Sequence, residues 1–152
     1  MELNFTTGFR ALSESDRQTL TNVGGFTHPL FVDPEAPAAI GMSGRPFPGQ
    51  ALLLFAGGLI EGRPELANAV ALLGFDSVRF LAAAFPGDKI AVEVKQIGRE
   101  PWKTNGEREI VLMTWRIYTD SGRDLATATT RMLMRTTGGK PTPSAASARA
   151  LP

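Results

Sequence analysis

The sequence predicts an α+β domain in which one long apolar helix is wrapped by an antiparallel sheet, and three observations predict it. The stretch GQALLLFAGGLIEG (49–62) is apolar on every side over residues 51–56, the pattern of a helix enclosed by protein. Strand-length segments of alternating polarity follow at 89–98, 109–119 and 124–135. The polar turns KTNGE and DSGR join these three segments, which makes them neighbours in an antiparallel meander. Wrapping such a sheet around the helix buries both apolar surfaces at once.

Residues 1–12 read as an extended lead-in. Ser13 stands before Glu14 and Asp16, an N-cap with acids in the first turn, so a short helix should run to about Asn22. Gly24-Gly25 stops it. From Phe26 to Pro48 the prolines and glycines of THPLFVDPEAP and GMSGRPFPG allow only a loop with short helical turns. Long ordered loops in compact domains are often functional. Pro48-Gly49 then opens the central helix, about 20 Å long at roughly 1.5 Å per residue. Its Gly57-Gly58 pair costs about 1 kcal/mol per glycine in helix propensity, and a close approach by neighbouring backbone would account for that cost.

Two short strands are expected at 69–73 and 77–82, with Gly74 as a bulge or bend between them, and Phe85-Pro86-Gly87-Asp88 is a turn. From 137 the chain is small, polar and proline-bearing (TGGKPTPSAASARALP), so a single domain over 1–136 with a disordered tail over 137–152 is expected. One chain rarely covers such a sheet completely, so edge-to-edge pairing into a homodimer or higher oligomer is anticipated.

Composition narrows the function. The 152 residues suit one domain, and 43% hydrophobic residues suit a globular one. A net charge of +1 with scattered basic residues argues against nucleic acid or anionic membrane as partner. Without cysteine there is no disulfide framework and no thiolate metal site, and no metal or cofactor is implied. The N-terminus lacks a charged-then-apolar signal pattern and no apolar run approaches the roughly 20 residues of a membrane span. A cytoplasmic protein is the expectation.

At GGFTHPLFVD the chain resembles the MaoC-like hydratases and dehydratases, whose loop reads S-G-D-x-N-P-L-H-x-D and is followed by an H-G pair at the start of the central helix. Gly25, Pro29, Leu30 and Asp33 agree with that pattern. Phe26 replaces the family aspartate, His28 stands where asparagine is usual, and Phe31 replaces the family histidine. Pro48-Gly49 occupies the H-G position. VRFLAAAFPGDKIAVEV resembles the family's R-F-x-x-P-x-x-x-G-D-x-L stretch, with Ala83 or Ala84 for its proline, and RDLATATTRMLMR resembles its final strand. The resemblance covers roughly residues 5–136 and implies a hot-dog fold acting on an acyl-CoA or an acyl chain borne on a carrier protein. In the family, the loop aspartate and histidine activate the water that adds to, or leaves from, an enoyl thioester. General acid–base groups of this kind contribute about 10² to 10⁴ each. Phe26 and Phe31 can transfer no proton, so that dyad is absent. The helix glutamate of related acyl-carrier dehydratases would fall near Leu54.

What survives of the family site is its carbonyl-binding half. Gly49 and Gln50 start the central helix, where free N–H groups and the helix dipole favour developing negative charge. Every helix has such a terminus, so a plain helix start is the competing reading. His28, the only histidine, is the candidate for a relocated catalytic base, the alternative being a loop-fixing hydrogen bond. Phe26, Phe31 and Phe47, with Thr27 beside them, are candidates for a dry pocket around an acyl group, against ordinary core packing. Arg45 could meet the phosphates of a coenzyme A or phosphopantetheine carrier, or simply be a solvated loop arginine. Asp33 and Glu35 read as capping residues, Asp76 and Asp88 as structural turn residues. Glu61, unfavourably placed at a helix C-terminus, invites an ion pair with Arg63 or Arg79.

Three functions follow: an atypical thioester hydratase or dehydratase; another reaction on the same fold, such as thioester hydrolysis or shaping of a polyketide-type intermediate; and a non-catalytic ligand-binding subunit, in a heteromer if an active partner exists. Fold alone does not decide among them.

Overall fold

The computed structural model describes residues 2–103 and 106–136; the centre of the KTNGE turn and the anticipated tail at 137–152 lie outside the described residues. The lead-in supplies two short strands, β1 (Asn4–Thr6) and β2 (Arg10–Ala11). Helix α1 (Glu14–Gly24) begins as its sequence requires. Ser13 Oγ accepts from the Asp16 amide at 3.0 Å, and Asp16 returns the bond to the Ser13 amide at 3.1 Å. It ends where Gly25 takes a left-handed conformation, φ 73°, that suits glycine.

The proline-rich loop contains two four-residue helices, α2 (Pro29–Val32) and α3 (Ala36–Ala39). Asp33 accepts from the Glu35 amide at 2.9 Å, closing the turn between them. The central helix α4 spans Gly49–Glu61 and is followed by a single 3₁₀ turn, Pro64–Leu66. Four long strands come next: β3 (Ala69–Phe80), β4 (Lys89–Pro101), β5 (Arg108–Thr119) and β6 (Asp124–Arg135). The sheet runs β1-β4-β5-β6-β3, with β2 also on β4, and every pairing is antiparallel. The anticipated meander is therefore β4-β5-β6.

Alternation selects the inner face. Val92, Val94, Met113, Trp115, Ile117, Ala126 and Ala128 are buried in register across the three central strands, and Leu52, Ala56 and Ile60 of α4 join the same core. Asp88 closes the turn before β4 by accepting from the Phe85 amide at 2.9 Å and from Arg123 at 2.9 Å.

Several expectations are corrected. The segments 69–73 and 77–82 form one strand, β3, not two; three register shifts absorb the irregularity, one of them beside Gly74. Asp76 consequently lies in β3, not in a turn, and meets Arg131 at 3.2 Å. Helix α4 is not enclosed within one chain: a single curved sheet reaches only part of its circumference, and Leu54 stays 63% exposed. No backbone closes on the Gly57-Gly58 pair, since a Cβ on either would meet nothing within 4 Å. Arg63 pairs with Glu65 at 2.7 Å instead of Glu61, because the chain turns into the 3₁₀ segment directly after α4. No helix among the described residues is long and apolar enough to cross a membrane.

Candidate functional site

The amino end of α4 is built from three pieces of chain. Pro48 is the N-cap residue, with φ −56° and ψ 139°, and offers no capping side chain. The first amides of a helix have no intrahelical acceptor. The Ala51 amide turns back to the Pro48 carbonyl at 3.0 Å. The amides of Gly49 and Gln50 have no acceptor among the described residues. They carry the positive end of the helix dipole.

Beside them lies a cavity of about 200 Å³, lined by Leu20, Val23 and Gly24 of α1, by Phe26, and by Pro48, Gln50, Ala51 and Leu54. None of these lining residues is ionisable. Phe26 is positioned by the glycine that ends α1: its ring lies so close to Gly24 that a Cβ there would sit 2.6 Å away. On the other side of the helix end, the ring of Phe80 rests on Gly49, 3.2 Å from where a Cβ would be. The end is flanked by aromatic rings but not sealed, for Gln50 is exposed.

His28 is the N-cap of α2. Its Nδ1 accepts from the Leu30 amide at 3.2 Å, so the neutral ring carries its proton on Nε2 and presents a donor outward. The loop-fixing role is thus realised, and it leaves Nε2 as the group free for chemistry. His28 does not line the cavity. It is connected through Phe31, whose ring packs edge-on against His28 at 6.3 Å and against Phe26 at 5.4 Å between centroids.

The structure therefore brings together Phe26, Gln50, Gly49, Phe31 and His28. It does not bring in the others. Phe47 is 4% exposed and packs edge-on to Phe55 at 5.9 Å, a core residue whose position is fixed by its own strand-like bond to the Ala84 carbonyl. Thr27 is exposed and absent from the cavity wall. Arg45 lines a separate cavity of about 340 Å³ with Glu14, Pro34, Ser43, Gly44, Phe85 and Pro86. There it donates to the Val32 carbonyl at 3.2 Å and lies 3.5 Å from Glu14. The Glu14 carboxyl is held below the usual carboxylate range, first by hydrogen bonds from Arg17 and then by the charges of Arg17 and Arg45, with burial opposing them.

Sequence reasoning missed Leu20, Val23 and Phe80. The first two share the i, i+3 spacing of one face of α1, a signal too short to read alone; Phe80 comes from the far edge of the sheet. It also missed a larger cavity of about 530 Å³ at the other half of α4, walled by Gly57, Ile60, Leu66, Val70, Trp115 and Met132 among others. Among the described residues no cluster of histidine and carboxylates could hold a metal ion.

No protein-family model matches the chain, and no curated protein matches it. Solved structures do. The MaoC-like dehydratase of Rhodospirillum rubrum superposes with a TM-score of 0.76 at 18% identity, over 91% of this chain and 94% of its own. The (R)-hydratase of A. caviae, involved in PHA biosynthesis, gives 0.68 at 20% identity over 87% and 96%. The HadBC complex of Mycobacterium tuberculosis, a (3R)-hydroxyacyl-ACP dehydratase, gives 0.70 at 14% identity over 86% and 95%. At these identities the likeness is one of architecture, and this chain has the hot-dog fold that MaoC-like dehydratases and (R)-hydratases share.

Proposed function

We propose that this chain handles an acyl thioester as an atypical hydratase or dehydratase. The thioester carbonyl would meet the amides of Gly49 and Gln50, and the acyl group would lie against Phe26, Val23 and Leu54. The observation that carries this reading is the pair of unpartnered helix amides opening beside an apolar cavity. A cavity of about 200 Å³ suits a short acyl group. His28 must release the Leu30 amide before its ring can take a proton from water, so hydration should be slower by about 10² to 10⁴ than in an enzyme with two free acid–base groups.

A second reading, a ligand-binding subunit without turnover, is favoured by one observation: no ionisable residue lines the cavity, and His28 Nδ1 is already engaged. Crotonyl-CoA separates the two. Loss of the enoyl chromophore that disappears in His28→Ala supports the enzyme. Calorimetric binding of butyryl-CoA with the crotonyl-CoA chromophore left unchanged supports the subunit. Neither binding nor turnover removes both.

The same reading includes self-association. Strand β3 is a sheet edge paired on one side only, and Leu72, Leu73, Phe75 and Phe80 on it are exposed. A second copy along that edge would satisfy its free backbone groups and cover these side chains. The HadBC relative is a complex, so a heteromer is the alternative assembly. A cytoplasmic location belongs to this proposal, since acyl-CoA or an acyl carrier would be met there.

A further inference from the structure

We infer that Glu14, Arg17 and Arg45 form a clamp that positions the His28–Phe31 segment behind Phe26, a wall of the cavity at the amino end of α4, an inference that rests on the thioester reading for its functional part. Helix α2 is only four residues long and cannot hold itself in place, because one turn does not repay helix nucleation. Its last carbonyls have no intrahelical donors. Two arginines supply them. Arg17 Nη1 donates to the Phe31 carbonyl at 2.9 Å, and Arg45 Nη1 donates to the next carbonyl, Val32, at 3.2 Å.

Both arginines converge on one carboxylate. Arg17 donates to Glu14 through Nε at 2.9 Å and Nη2 at 2.6 Å, and Arg45 Nη2 stands 3.5 Å from the same Oε1. Arg17 is 2% exposed, so its guanidinium is withdrawn from water. Burying a guanidinium is costly unless its donors are used, and here they tie α1 to α2. The consequence passes on through Phe31, whose backbone the clamp holds and whose ring supports both Phe26, the cavity wall, and His28. None of the three charged residues lines the 200 Å³ cavity, so they act on it through the loop. They are positioning residues.

The single histidine gives the test a clean probe, because the imidazole Hε1 signal has one source. Glu14→Gln and Arg45→Met, substitutions at the two half-exposed members, are compared with Asp124→Asn, which breaks the surface pair with Arg116 elsewhere on the sheet. The His28 resonance should move in the first two variants and not in the third. Butyryl-CoA affinity should fall about tenfold in the first two, the scale of one lost charge-assisted bond, and stay unchanged in Asp124→Asn. Arg45→Lys, which keeps the charge beside Glu14, should recover part of the affinity. An unmoved His28 resonance in both clamp variants overturns the inference, as does an equal loss of affinity in Asp124→Asn. If the unaltered protein binds no butyryl-CoA, the thioester reading fails by itself, and the resonance still decides the clamp.

Discussion

The rings of Phe26 and Phe31, which the sequence resemblance aligns with an aspartate and a histidine, meet edge-on at 5.4 Å. Edge-to-face contact at this distance contributes about 0.5–1.5 kcal/mol beyond burial. The two side chains are adjacent, and neither can move a proton. Phe26→Asp with Phe31→His should place a carboxylate and an imidazole within reach of each other. We expect enoyl-CoA hydration to rise by at least about 10² over the unaltered chain, and each single substitution to give much less. Chromophore loss from crotonyl-CoA measures it. A double variant that folds and hydrates no faster would show that the cavity does not present the thioester to these positions.

Acid should loosen the loop. Glu14 has its carboxyl pKa lowered in the folded protein, chiefly by the Arg17 hydrogen bonds, so folding favours its charged form. A lowered folded value means the stabilisation is complete above the ordinary carboxylate value of 4.5 and is lost as pH falls below that through the folded value. Asp16, lowered by its capping bonds with Ser13, acts in the same direction at the start of the same helix. Melting temperature should therefore drop faster below about pH 4.5 in the unaltered protein than in Glu14→Gln. Parallel pH profiles for the two would count against the ion cluster as a source of stability.

Gly57 and Gly58 have open space where a Cβ would go. Gly58→Ala should stabilise the protein by about 0.5–1 kcal/mol through helix propensity alone. Gly57→Ala should do the same while narrowing the 530 Å³ cavity that this residue lines. Urea unfolding of each variant gives the sign. Destabilisation of Gly58→Ala but not of Gly57→Ala would mean that another chain packs on the exposed face of α4.

On β3, Leu73 is 42% exposed at the sheet edge. Leu73→Lys should leave the fold intact and shift sedimentation toward the monomer, since a charged side chain blunts an edge for pairing. An unchanged oligomer would move the interface elsewhere.

Much of the fold was legible because the evidence for it is local. Alternation fixed β4, β5 and β6, the Ser13–Asp16 capping pair fixed the start of α1, and Asp124–Arg135 appears with the bounds its pattern predicts. Gly74 is a bulge, as its place in the pattern suggests, but pairing with β6 carries the chain through it and joins the two expected strands into β3. Helix α4 was expected to be enclosed because apolarity says which residues avoid water, not what covers them. The site divided the same way. Phe26 and Gln50 line one cavity, while Phe47 turns inward to Phe55 and Arg45 turns to Glu14, partners distant in sequence that no spacing announces.

The bulges of β3 have a consequence for how the protein survives in a crowded solution. The three shifts against β6 leave no uninterrupted run longer than Ser77–Phe80 in a twelve-residue apolar rim. An arbitrary stretched polypeptide cannot zip along so uneven a template, because each extra residue twists the ladder out of step. Only a strand whose irregularities match these fits over its whole length. The kinked margin is thus a poor template for open-ended growth into fibrils.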